Sequence, residues 1–278
     1  MKWNIDFITK EQFKQHVMNT IKHYGDKLIP YDTDKFNSNL IDPIKMIFDK
    51  AVYGADWHEI ISNEIFRRRD KSNTNEIGYF HQRFFEYIRS CRVPDNGKEG
   101  GWDVIYEIPA GYVVDKGRIV HRIYVEMKNK HNTMNSAASG KTYIKMQHQL
   151  LQDDDCACFL VEAIAKRSQN IVWKTTVDKR RVSHAQIRRV SIDRFYEIVT
   201  GDHDAFLKIC LALPSVVMDV LSEQDSDVTA PHDTVYEEML ERASRFHNVP
   251  DDVAMIMAMY MLGFGTYNGF SAMTGSDT

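Results

Sequence analysis

The sequence predicts an α/β fold in which a strand-rich middle third is enclosed by helices at both ends of the chain. Three observations predict it. Apolar residues recur at helical spacing through residues 1–70. Two β-branched and aromatic runs, 102–114 and 118–128, flank the turn signal Asp115-Lys116-Gly117. A strand, a polar loop, a helix and a buried strand then follow in order between 119 and 165.

Taken in order, Thr9-Lys-Glu-Gln opens the first helix, with Thr9 as cap and Gln12 completing a capping box. Phe13, Val17, Ile21 and Tyr24 form its stripe. Residues 41–51 repeat the pattern, and 57–69 give a third helix that ends in Arg67-Arg68-Arg69. Those arginines suit a helix C-terminus and suit phosphate contact equally. Ser72–Asn75 reads as a loop and cap before a helix over 76–89, with Glu76 in its first turn. Residues 93–101 are a loop rich in glycine. In the strand that follows, Asp103 is expected on the face opposite Trp102, Val104 and Tyr106. Strands are expected at 156–165, 171–177 and, briefly, 190–192; helices at 141–151, 195–200, 205–212, 236–246 and 253–264. The last, rich in methionine, suits a core or a dimer interface. Residues 222–233 read as an acidic linker, and 265–278 as a loose tail.

Composition bounds the function. At 278 residues and 43% apolar content the chain can fill a sizeable core. It has no run of eighteen apolar residues and no signal-peptide core at its start, so the expectation is a cytoplasmic protein without a membrane span. Four cysteines make no disulfide framework, and Cys156-Ala-Cys158 reads as two small buried residues on one strand face. Net charge is −4, yet the charge is sorted. Residues 116–150 hold seven Lys/Arg and one acid; 163–195 hold nine and two; beyond Gly201 there are three against thirteen acids. This pattern points to a basic working surface in the middle of the chain.

The chemistry concentrates at the end of the strand IVHRIYVEMK. Side chains on a strand alternate, so Glu126 and Lys128 share a face. A hairpin turning near Asp115 brings Asp103 close to Glu126. Two carboxylates offer the hard oxygen ligands that Mg²⁺ takes, and a lysine beside them can position a water or neutralise charge on phosphorus. A solvated strand end explains the same three residues, but these acids interrupt apolar strands and precede a basic, Asn-rich loop. Other motifs fall short. Ser139-Gly140-Lys141-Thr142 lacks the earlier glycine of a phosphate-binding loop, since Asn135 stands there, so no nucleotide cofactor is expected. His58-Glu59 lacks a second histidine, Ser62 occupying its place. Pro94-Asp95 lies outside the hairpin.

Asp103 followed by Glu126-Met127-Lys128, after a helix bearing Glu76, resembles the PD-(D/E)XK nuclease superfamily. More specifically, DKSNTNEIGYFHQ at 70–82, GWDV at 101–104 and VEMKNKHNTMNS at 125–136 resemble the type II restriction endonucleases that cut GGNCC. Gly101-Trp102 stands where the superfamily pattern often has proline. The resemblance implies an α/β (α+β) restriction-endonuclease-like core, a central mixed β-sheet flanked by helices, with helical N- and C-terminal additions. Its span would be a single nuclease domain, 1–278: a helical region 1–70, a catalytic core 71–200 and an acidic helical region 201–278 offering a dimer interface.

The activity so implied is Mg²⁺-dependent hydrolysis of both strands of double-stranded DNA at a short palindromic site. Asp103 and Glu126 would be metal ligands with the Met127 carbonyl a third, Lys128 the catalytic lysine, and Glu76 a helix acid. A palindromic target implies a homodimer. Lys130, His131, Asn132, Asn135 and Lys141 lie near enough to the metal site to contact DNA, and Arg180, Arg181, Arg188 and Arg189 are further candidates for phosphate or base contacts. Two alternatives remain: a structure-specific or repair nuclease on the same scaffold, and a catalytically inert DNA-binding protein.

Overall fold

The computed structural model describes residues 3–25, 29–223 and 232–266. Most of the expected acidic linker and nearly all of the expected tail lie outside them. The chain divides into two compact units, one of Met1–Lys22 with Asn75–Ser226 and one of His23–Thr74 with Asp227–Thr278.

The larger unit is built on a six-stranded mixed sheet: β1 (Cys91–Arg92), β2 (Val104–Asp115), β3 (Arg118–Lys130), β4 (Cys156–Ile164), β5 (Asn170–Val177) and β6 (Arg180–Ser191). The spatial order is β1-β2-β3-β4-β6-β5. β3, β4 and β6 run parallel, and the remaining pairings are antiparallel. α5 (Ser136–Gln152) makes the crossover from β3 to β4, as parallel neighbours require.

β4 is buried along both faces, as a strand covered on both sides must be. Ala157, Phe159 and Val161 enter one core with Val104, Ile123, Val125, Phe85, Phe195 and Tyr196. Cys158 and Leu160 enter the other, with Trp102, Ile105, Trp173 and the α5 residues Tyr143 and Met146. All four cysteines are free thiols. α1 (Lys10–Gly25) begins with the expected capping box, Gln12 N–H to Thr9 Oγ1 at 3.1 Å and Thr9 N–H to Gln12 Oε1 at 3.0 Å. α6 (Ile192–Thr200) and α7 (Ala205–Glu223) follow the sheet. Among the described residues α7 alone is long and apolar enough to cross a membrane. Ala205, Ile209, Ala212, Val216 and Val220, spaced by three or four, bury one face of it in the first core.

The smaller unit is helical: α2 (Thr33–Asn37), α3 (Pro43–Tyr53), most of α4 (Trp57–Arg83), α8 (Val235–Ala243) and α9 (Asp251–Phe264). Its core gathers Phe36, Trp57, Ile61, Met239, Met255 and Met259. The run Arg67-Arg68-Arg69 of α4 is tied internally. Arg67 and Arg68 pair with Glu64, and Arg69 grips Asp233 through two bonds of 2.7 and 2.8 Å.

Among the departures from the sequence reading, α7 runs on to Glu223 where a helix over 205–212 is expected, and three others bear on the sheet and the site. The loop expected at 72–75 is helical, so that α4 runs unbroken for 27 residues before a short 3-10 turn, Phe84–Tyr87. Ser, Asn and Thr each lower helix propensity by only about 0.5 kcal/mol relative to alanine, and neither Gly nor Pro stands there to stop the helix. β6 has twelve residues rather than the three expected at 190–192. Its polar run hid it, because β6 ladders with β5 along an edge where charged side chains stay solvated. Trp102 packs with Ile105 rather than with Val104. It lies before the ladder, after left-handed Gly100 and Gly101, and strand alternation does not govern it.

Candidate active site

The hairpin of β2 and β3 turns at Lys116-Gly117 and pairs Asp115 with Arg118. A regular ladder counted from that pair would set Asp103 opposite Lys130. Instead β2 advances five residues from Glu107 to Tyr112 while β3 retreats only two, from Arg122 to Val120. That excess of three is absorbed around Pro109 and left-handed Gly111, and a fourth residue is gained between Val113 and Asp115, where β3 moves only from Ile119 to Arg118. A Cβ at Gly111 would come within 2.4 Å of Ile119 Cγ2, so glycine is required there. Beyond the bulge Val104 pairs with Val125, which sets Asp103 opposite Glu126. Asp103 N–H donates to Val125 O at 2.9 Å, and Met127 N–H donates to Asp103 Oδ2 at 2.6 Å.

Glu126 and Lys128 share a face and touch: Lys128 Nζ donates to Glu126 Oε1 at 2.6 Å. Burial raises the Asp103 pKa from its ordinary value; the Met127 N–H works against this, and the Glu126 charge adds to it. Burial also pulls Glu126 upward, but Lys128 and Lys145 outweigh it, and its pKa falls below the ordinary value. The site thus holds one carboxylate whose ionisation is hindered beside one whose ionisation is supported. Their hard oxygens, with the Met127 carbonyl at the same strand end, form a donor set of the kind that holds a small divalent cation along with waters. Among the described residues no three His, Cys, Asp or Glu side chains cluster for a metal, so any cation here would rely on two carboxylates.

A cavity of about 390 Å³ opens beside this strand end, lined by Asp103, Met127, Lys128, Asn129 and Ala163 and, from α4, by Asn75, Gly78, Tyr79, His81 and Gln82. Gln82 donates to Asp103 O at 3.2 Å. Burial lowers the His81 pKa to about 4, so its imidazole is neutral near pH 7. Glu76 lies on the same helix but does not line the cavity. Asn75, Gly78, Tyr79 and Gln82 recur every three or four positions and make the facing stripe, and Glu76 lies one position off it. Sequence reading missed Gln82, His81 and Lys145. Lys145, on α5, donates to Glu126 Oε2 at 2.8 Å. His81 and Gln82 close the family-like string at 70–82, but the string itself assigns them no role, and Lys145 lies in no motif. Their helices bring them in.

The candidate DNA-contacting residues fall into three groups. Lys130 and Asn132 are exposed just past the ExK pair, beside half-buried His131. Asn135 caps α5 through its side chain, accepting from Ala138 N–H at 2.9 Å, and Lys141 is exposed on that helix. The segment Ser139–Thr142 lies inside α5 rather than ahead of it. Arg180 and Arg181 are exposed at the start of β6. Arg188 bonds Asn170, and Arg189 bonds Glu162 and the His131 carbonyl. Asp95, outside the cavity, pairs with Lys98 on the surface.

The model of the Eco47II restriction endonuclease family matches residues 5–222. The chain belongs to that family. It is a type II restriction endonuclease, a site-specific deoxyribonuclease, as its resemblance to the GGNCC-cutting group implied. The type II restriction enzyme Sau96I of Staphylococcus aureus is 30% identical over 223 residues, covering 77% of this chain and 80% of that protein. The type II restriction enzyme Eco47II of Escherichia coli is 27% identical over 202 residues, covering 68% and 77%. For this restriction endonuclease the matched span takes in the whole hairpin, the α4 wall of the cavity and α5. It ends before α8 and α9.

Proposed function

We propose that this restriction endonuclease cuts both strands of duplex DNA at GGNCC, as a homodimer, with Mg²⁺ held by Asp103, Glu126 and the Met127 carbonyl. The observation that carries the site assignment is the hairpin register, which sets Asp103 opposite Glu126 with the Lys128 ammonium bonded to the glutamate. The donor set favours Mg²⁺, which commonly takes one or two carboxylates and completes its shell with waters and phosphate oxygens. When bound, such an ion polarises the phosphodiester and lowers the pKa of an attached water. Asp103 is fixed for this work by the Met127 N–H. Lys128 lines the cavity and its ammonium is bonded to Glu126; from there it would orient the attacking water and offset negative charge developing on phosphorus. The target sequence rests on the likeness of the strings at 70–82, 101–104 and 125–136 to enzymes that cut GGNCC, and the two-fold dimer follows from a palindromic target. Lys130, Asn132, Lys141, Arg180 and Arg181 supply the exposed positive and polar groups for the duplex.

Digestion of a mapped plasmid with purified protein and Mg²⁺, with a chelator control, tests the reading. Discrete fragments with ends at GGNCC are expected; fragments ending elsewhere would remove the target and keep the chemistry. Glu126→Ala and Lys128→Ala are each expected to lower cutting by at least about a thousandfold while leaving most site-specific binding in a gel shift. Near-normal cutting by either variant would overturn the site assignment.

A further inference from the structure

Lys145 belongs to no motif, yet it is the most constrained cation at the site. Its Nζ donates to Glu126 Oε2 at 2.8 Å and to Gly101 O at 2.6 Å, and stands 4.1 Å from the centre of the Trp102 ring. Trp102 is itself tied to α5, donating Nε1–H to Gln149 Oε1 at 3.0 Å, one turn beyond Lys145. Lys128 holds the other oxygen of Glu126. Two ammonium groups thus occupy both oxygens of a carboxylate whose side chain is only 15% exposed. A carboxylate so buried needs countercharge to stay ionised. One lysine neutralises it; the second balances Asp103 as well, two ammoniums against two acids. The placement matters too. Asp103 and Lys128 line the cavity and Glu126 does not, its Oε2 being held from the α5 side.

We propose that Lys145 is a positioning residue that stands in for the charge of the cation. It holds Glu126 on the α5 side of the strand end until a divalent ion claims the carboxylate. The inference rests on Asp103 and Glu126 being the cation ligands. Gly101 O and the Trp102 face remain as partners when Glu126 is released, so Lys145 gives up one of three partners and stays beside the site. Two consequences follow. The cation must displace an ammonium, which holds down its affinity for the DNA-free enzyme. A DNA phosphate entering the site offers that ammonium another anion, so DNA and cation bind cooperatively.

The test is calorimetric titration of Mg²⁺ into the full-length protein without DNA. Lys145→Met is expected to bind Mg²⁺ about tenfold more tightly than the unsubstituted enzyme, because it removes a unit charge bonded to a proposed ligand carboxylate. Lys145→Arg, which keeps the charge, is expected to stay within about threefold of the unsubstituted enzyme. Repeating the titration with an uncleavable phosphorothioate duplex should show a smaller DNA-induced tightening in Lys145→Met. Unchanged or weaker Mg²⁺ binding by Lys145→Met would overturn the proposal, and so would equal tightening by the arginine variant. Lys145→Gln replaces the methionine variant should that one not fold. Glu126→Gln separates the role of Lys145 from the ligand assignment beneath it. If that variant binds Mg²⁺ as well as the unsubstituted enzyme, the ligand assignment itself fails, whatever Lys145 does.

Discussion

Strand β6 carries two Arg-Arg pairs in different surroundings. Arg180 and Arg181 follow the tight turn Asp178-Lys179, whose residues both have left-handed φ, of 46° and 64°. They pair only with the β5 residues Val177 and Thr176 and are exposed. Neither side chain bonds a protein group among the described residues. Arg188 and Arg189 lie further along, where β6 is flanked by β5 and β4 together. Arg188 donates Nε–H to Asn170 Oδ1 at 2.9 Å and Nη2–H to Asn170 O at 2.8 Å. Arg189 donates Nε–H to Glu162 Oε1 at 3.0 Å and Nη2–H to His131 O at 2.9 Å. The dipeptide is identical; the number of neighbouring strands differs. An arginine in an interior position of the sheet must satisfy its donors there, and one at an open hairpin end keeps them for a ligand.

The largest effect expected from this contrast is at Arg189. Glu162 is buried, and its Oε2 has no hydrogen-bond partner among the described residues, so Arg189 is the countercharge that keeps it there. Arg189→Ala is expected to destabilise the protein by roughly 3–5 kcal/mol, the usual cost of a stranded buried charge. Chemical denaturation measures it. Adding Glu162→Gln to that variant should recover part of the loss. An unfolding curve for Arg189→Ala that overlays the unsubstituted protein would break the contrast at its stronger end. Arg188→Ala is expected to cost less, about 1 kcal/mol, because its partners are an amide and a carbonyl and it remains partly solvated.

The same contrast shows how far the sequence could be read. The hairpin was legible because strand alternation and turn residues are local signals, and Glu126 and Lys128 meet because their spacing on one strand leaves no other outcome. The partner of Asp103 was legible only approximately. Its register depends on the extra residues around Pro109 and Gly111, which read as part of a regular strand arm over 102–114. Strand β6 was mostly missed because Arg180–Gln186 carries charge on a solvated hairpin. The site roles of Gln82, His81 and Lys145 were hidden for a deeper reason. Each reaches the site from a helix whose rotation against the sheet is set by core residues, Phe80 and Phe84 in one case, Tyr143 and Met146 in the other. Glu76 shows the same limit, since its place one position off the stripe depends on that rotation.

The smallest effect on stability, and the sharpest on function, is expected at Arg180 and Arg181. Replacing both with alanine removes no side-chain bond to the protein among the described residues, so the unfolding curve should match that of the unsubstituted protein within about 0.5 kcal/mol. Their proposed partner is the DNA backbone, whose neutralisation releases counterions. The slope of log affinity against log salt should therefore shrink by about 0.9 for each phosphate no longer neutralised. Because a phosphate carries no sequence information, binding to GGNCC and to an unrelated duplex should weaken by a similar factor, leaving their ratio intact. Gel-shift titrations of both duplexes across a salt series read all three quantities. A collapse of the ratio with an unchanged salt slope would instead assign these arginines to guanine edges in the major groove. It would also make the open end of β6 the reading element of the enzyme.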